Sequence, residues 1–181
     1  MRWLKDGHWL AYHALQPLLL YQRTSQQQMA QIAELGNELT AGDDEELGAV
    51  LEASQVNIAH LLGISKHEWG APVDFNPSFI VLAENIKLFS GIKSGKDYLF
   101  HVKKLLEAAP VSYLFEKEVF ERKIGNETFY VLELKIDNMG EIVTQEYMAT
   151  IKKGFTLSII ASYANEEDHL EIEKFINSVK I

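Results

Sequence analysis

Thr128–Tyr163 reads TFYVLELKIDNMGEIVTQEYMATIKKGFTLSIIASY. Three runs rich in Val, Ile, Phe, Tyr and Thr are parted by two short turns, Asp137-Asn138-Met139-Gly140 and Lys152-Lys153-Gly154. β-Branched and aromatic residues suit a pleated, half-buried surface, and Gly or Asn supplies the positive φ of a tight hairpin. The stretch therefore predicts an antiparallel meander of three strands, the spine of the fold. Leu132, Leu134 and Ile136 should bury one strand's face, and Phe155, Leu157 and Ile159 another's.

Upstream of the meander, Ser94 with Asp97 three residues later forms a capping box, and a helix is expected over about 96–109. Tyr98, Val102, Leu105, Leu106 and Ala109 make its buried stripe, and Pro110 ends it. Val111–Ile124 alternates loosely, as one strand, and turns at Gly125-Asn126 into the meander. Downstream, Asn165 caps a final helix over about 166–179. Its Ile172, Phe175, Ile176 and Val179 face inward at i, i+3, i+4 and i+7.

Earlier still, Ile58, His60, Leu62 and Ile64 alternate as one face of a strand, and Ser78–Ile86 forms a second. Between them, Glu68–Pro77 carries two prolines and a glycine and reads as a loop. Thr24 and Gln27 fit a capping box for a helix through Leu39, with Met29, Ile32, Ala33, Gly36 and Leu39 on one face. Gly42 stops it, and Asp43-Asp44 cap a second helix with Leu47, Val50, Leu51 and Ser54 at helical spacing; LGAVLEAS also fits a strand. Residues 1–22 mix an amphipathic piece around Trp9 with an extended one after Pro17.

The resulting class is α+β, with a mostly antiparallel sheet of about six strands and helices packed on its faces. At 181 residues the chain suits a single domain over 1–181: a helical region at 1–57, then the sheet with its two helices at 58–181. The net charge of −9 repels a phosphate backbone and an anionic membrane, so neither nucleic acid nor membrane is an expected partner. Having no cysteine removes disulfides and thiolate chemistry. With no signal-peptide pattern and no run of the ~20 apolar residues that a span requires, the chain as it stands is expected in the cytoplasm.

No catalytic, cofactor-binding or metal-ligating signature stands out. Gly91-Ile92-Lys93-Ser94-Gly95-Lys96-Asp97 sits between a strand and a helix as a phosphate loop would. It has three residues between its glycines where the loop needs four, and Asp97 stands where the magnesium-binding hydroxyl belongs. A turn and a helix cap account for it. The histidines (His8, His13, His60, His67, His101, His169) make neither an i, i+4 helical pair nor H-E-x-x-H. Glu166-Glu167-Asp168 open a helix, where they offset its dipole. Trp3, Trp9, Trp69 and Phe75 are costly to expose and form the candidate interaction surface. Gln145 and Tyr147 share a strand face and are candidate cavity-lining residues.

The strands EKEVFERKIGNETFYVLELKI and VTQEYMATIKKGFTLSIIASY, between a helix that follows a G-x-x-x-G-K-D turn and a closing helix ending NSVKI, resemble the Mog1/PsbP-like domains over about Ile58–Ile181. The resemblance implies an α/β/α sandwich around an antiparallel sheet, and a binding or assembly role without catalytic residues. The expected function is a non-enzymatic protein-interaction or assembly module. Its partner would be another protein, and residues 1–22 offer a surface for a homo-oligomer. The alternative is a small-molecule-binding or enzymatic α+β cavity protein of NTF2-like shape, suggested by helices preceding a curved meander that carries Gln145 and Tyr147.

Overall fold

A computed structural model describes residues 21–179; Trp3, Trp9, His8 and His13 lie outside the described residues. Four helices, α1 (Gln26–Ala41), α2 (Glu45–Gln55), α3 (Gly95–Ala108) and α4 (Glu166–Ser178), pack on one sheet. Its strands are β1 (Gln22–Arg23), β2 (Ile58–Ser65), β3 (Ser78–Asn85), β4 (Tyr113–Leu114), β5 (Phe120–Ile124), β6 (Glu127–Asn138), β7 (Glu141–Lys152) and β8 (Phe155–Tyr163). Every pairing is antiparallel, in the order β1-β2-β3-β8-β7-β6, with β4 and β5 both on the outer edge of β6. No described helix is long and apolar enough to cross a membrane.

The meander is β6–β7–β8, and its turns close as two-residue hairpins. Asn138 pairs with Glu141 across Met139 (φ 53°) and Gly140 (φ 95°), and Lys152 pairs with Phe155 across Lys153 (φ 53°) and Gly154 (φ 80°). Positive φ at both central residues matches the right-handed twist of the strands. Met139 adopts that conformation although its side chain meets only solvent. Met139→Asn is expected to raise the unfolding free energy by about 0.5–1 kcal/mol, since Asn tolerates a left-handed backbone better. A urea midpoint that fails to rise would contradict this account of the turn.

Register sorts the side chains into two faces. Val131, Met148, Ile159, Val81 and Leu62 form one cross-strand row, and the larger core gathers there under Ile172, Phe175, Ile176 and Val179 of α4. Leu132, Tyr147, Ile160, Ile80 and Gly63 form the adjacent row on the opposite face. There α3 sets Leu99 against Leu132 and Ala149, while Met29 of α1 lies over Gly63. Strand β6, paired along both edges, is thus buried on both faces, with Phe129 and Val131 under α4 and Leu132 and Leu134 on the α3 side. Helices cover both sides of the sheet, in three layers.

Five features depart from the sequence reading. The sheet has eight strands among the described residues, because β1 precedes α1 and Val111–Ile124 splits into β4 and β5. Between these two, five residues of the edge face three of β6, and the detour turns Phe115 and Val119 in under α3. The cap of α1 is Ser25, boxed with Gln28, because the Thr24 amide is committed to Gly63 O (2.8 Å) at the end of β1. A bulge between His60 and Leu62 gives β2 one extra residue. It sends His60, paired with Leu82, to the α3 face and Leu62, paired with Val81, to the α4 face, so the alternation does not mark a single face. In α3 the seated residue is Leu99, 1% exposed, whereas Leu105 is 36% exposed. Finally, Leu39, expected on the inner face of α1, faces solvent, whereas LGAVLEAS is helical, as α2, in line with its Asp44 cap.

Candidate functional site

The loop Lys66–Pro77 is held at its neck and free at its tip. Lys66 N donates to Pro77 O (2.9 Å), His67 N donates to Asn76 Oδ1 (2.9 Å), and Asn76 Nδ2 returns to His67 O (3.0 Å). The Ser65 hydroxyl also donates to His67 O (2.8 Å), and Asn138 Nδ2 reaches Asp74 O (3.3 Å), joining the loop to the β6–β7 turn. These bonds satisfy a backbone that proline and glycine keep out of regular structure. They leave Trp69 at the tip 48% exposed, while Phe75 is half-buried.

Trp69 forms one wall of a groove of about 390 Å³. The opposite wall is the first turns of α1, with Gln28 and Ile32, and the floor is the β1–β2–β3 edge, with Gln22, Ser65, Ser78 and Ile80. Arg23 and Glu68 also line it, so its charge is balanced. The floor is polar for a reason of register: Gln22, Ser65, Ser78, Ser162 and Gln145 are successive cross-strand neighbours on the α3 face. Hydroxyl and amide side chains in one row give a surface that hydrogen-bonds without carrying charge.

Gln145 and Tyr147 lie further along this face. Gln145 Nε2 donates to Ser162 Oγ (3.2 Å), and the Tyr147 hydroxyl donates to Gln145 Oε1 (3.2 Å). Burial pushes the Tyr147 phenol above its ordinary range, so it stays a neutral donor. Both side chains are half-buried and extend the polar row away from the groove.

The turn before α3 binds its own anion. Asp97 Oδ2 accepts from Lys93 N (3.1 Å), Ser94 N (2.9 Å) and Ser94 Oγ (2.9 Å). The Ser94 hydroxyl and the Lys93 amide hold the carboxyl below its usual range. The space a phosphate would need is filled by a side chain. Among the described residues, no three His, Asp or Glu side chains are grouped to hold a metal ion. His60 lies half-buried beside α1, whose Gln26 Nε2 donates to its carbonyl (3.1 Å), and burial lowers its pKa. His101 is exposed, edge-on to Phe100.

One group of side chains escaped the sequence reading. Glu133 and Glu146 are direct cross-strand partners on the α4 face, beside Arg122, Tyr163, His169 and Glu173. Their pairing was in principle available: counting back five residues on each side of the Asn138–Glu141 closure sets Glu133 opposite Glu146.

No protein-family model matches the chain, and no curated protein matches it in sequence. Among solved structures, it is similar to PA94 of Pseudomonas aeruginosa, a protein of unknown function, at 11% identity and a TM-score of 0.47, covering 69% of this chain and 81% of that one. It is also similar to LpqN, involved in cell envelope biogenesis of Mycobacterium tuberculosis, at 14% identity and a TM-score of 0.37, covering 65% and 72%. Likenesses this distant say nothing about which residues act or on what.

Proposed function

We propose that this chain is a non-enzymatic interaction module that receives a segment of another protein in the Trp69 groove. The observation that carries the reading is the groove itself, which sets a half-exposed indole on a clamped loop against a polar floor. A large, rigid aromatic at the lip of a preformed groove is the usual anchor of a protein interface, because it buries much area at little entropic cost. The resemblance to Mog1/PsbP-like domains points the same way, since those domains are described as binding or assembly proteins.

A second reading is favoured by the row Ser65, Ser78, Ser162 and Gln145, whose hydroxyls and amides suit a small neutral ligand. One experiment separates the two. A photo-crosslinking residue at position 69, with position 153 on the β7–β8 turn at the opposite end of the sheet as control, identifies a partner, which is then purified and titrated. Trp69→Ala should weaken its binding by roughly 30-fold or more, the size of an aromatic hot spot. Ser78→Trp, which fills the floor, should do the same. A partner whose affinity neither substitution changes would overturn the proposal, as would crosslinking no stronger at position 69 than at the control.

A further inference from the structure

One row on the α4 face sets two carboxylates side by side within the apolar pattern. Ile64, Phe79 and Ala161 are followed on β7 and β6 by Glu146 and Glu133. Like charges directly opposite destabilise a ladder, and here the two side chains are only 8% and 13% exposed. What surrounds them decides their state. From β5, Arg122 forks onto Glu173 of α4 (2.8 and 2.5 Å) and only approaches Glu146 Oε2 (3.6 Å). Lys117, between β4 and β5, pairs with Glu133 (2.9 Å). From β8, the Tyr163 hydroxyl donates to Glu146 Oε1 (3.1 Å). From α4, His169 stacks on the Tyr163 ring at 4.4 Å and sets Nε2 3.5 Å from Glu173, while the exposed Glu166 lies 3.7 Å from Nδ1.

Three shielded carboxylates (Glu133, Glu146, Glu173) therefore face two fixed cations, and the fork of one cation is already spent on Glu173. Glu146 Oε2 is fully buried and has no hydrogen-bond partner among the described residues. One negative charge is left over, and a proton is the group that can neutralise it in place. We infer that the seating of α4 on the sheet is proton-linked: one proton, taken by Glu146, tightens the α4–sheet contact on acidification.

Burial raises Glu146 above the ordinary glutamate value of 4.5, against the opposing pull of Arg122 and the Tyr163 hydroxyl. A carboxyl raised in the folded state stabilises the fold while protonated, and that stability drains away as pH climbs from its unfolded value through its folded one. Glu173 works in another window. Burial opposes its ionisation, but Arg122 outweighs burial and holds it lower, so its contribution persists at neutral pH and is lost only in stronger acid.

The test is hydrogen exchange of the α4 amides across Ile172–Ile176 in the full chain, corrected for intrinsic rates, from about pH 8 to about pH 4.5, the ordinary glutamate value. In the wild type, protection should rise by roughly threefold to tenfold on acidification. In Glu146→Gln, which keeps an acceptor for Tyr163 and removes the charge, it should stay flat. Glu133→Gln, which relieves the like-charge pair but leaves Glu146 buried, should reduce the slope without abolishing it and serves if the first variant folds poorly. Wild-type protection that does not vary with pH, or an equal slope in wild type and the glutamine variants, would overturn the inference.

Discussion

Phe175→Ala should lower the unfolding free energy by about 3–5 kcal/mol, the largest single loss expected from α4. Phe175 is 2% exposed. Its ring stands edge-on to Tyr21 with centroids 4.9 Å apart, and tilted against Phe79 at 6.2 Å. The residues beneath it belong to strands held on both sides by ladder bonds, so the sheet cannot sink to fill the space, and the cavity cost adds to the lost transfer energy. The helix also depends on this stripe, because a helix of 13 residues is marginal by itself in water. Urea denaturation followed by circular dichroism measures the loss, and a change below about 1 kcal/mol would mean that α4 is not seated as described.

Gly95→Ala should also destabilise, by about 3 kcal/mol, and the sign is the informative part. At the first position of α3, helix propensity alone favours alanine over glycine by up to about 1 kcal/mol. Packing opposes it. A Cβ on Gly95 would lie closer to the Ala149 carbonyl oxygen than any non-bonded contact allows, with the Tyr130 ring 3.1 Å away on the other side. That carbonyl belongs to β7, a strand paired on both edges, and cannot withdraw without breaking the ladder. A stability equal to or above that of the wild type would show that α3 does not approach β7 this closely.

Local patterns proved readable wherever the signal and the structure shared one scale. The two hairpins, the stop before Pro110, the Ser94–Asp97 box and the α4 stripe each rest on a few consecutive residues whose backbone needs are met within the same segment. The misses came where a distant segment intervened. Thr24 carries a cap's side chain, but its amide is claimed by Gly63, 39 residues downstream in the chain, and the cap moved to Ser25. The alternation through His60, Leu62 and Ile64 assumed an unbroken ladder, and the bulge against Leu82 and Val81 broke it. Trp69 stood out by composition, yet Gln22, Gln28 and Ser78, which complete its groove, have no distinctive sequence context.

By itself, the sequence determined the α+β class, the meander with its turns, and the inward faces of most of the helices, because these follow from side-chain periodicity and from the φ values particular residues tolerate. Only the tertiary structure decided that β8 pairs with β3 and so joins the meander to the β2–β3 hairpin in one sheet. Hydrogen bonding between backbones carries no residue code, and several strands could have met that edge. The same pairing aligns Ser78 with Ser162 and Phe79 with Ala161. The polar floor beside Trp69 and the carboxylate pair beneath α4 are therefore consequences of register across the whole sheet.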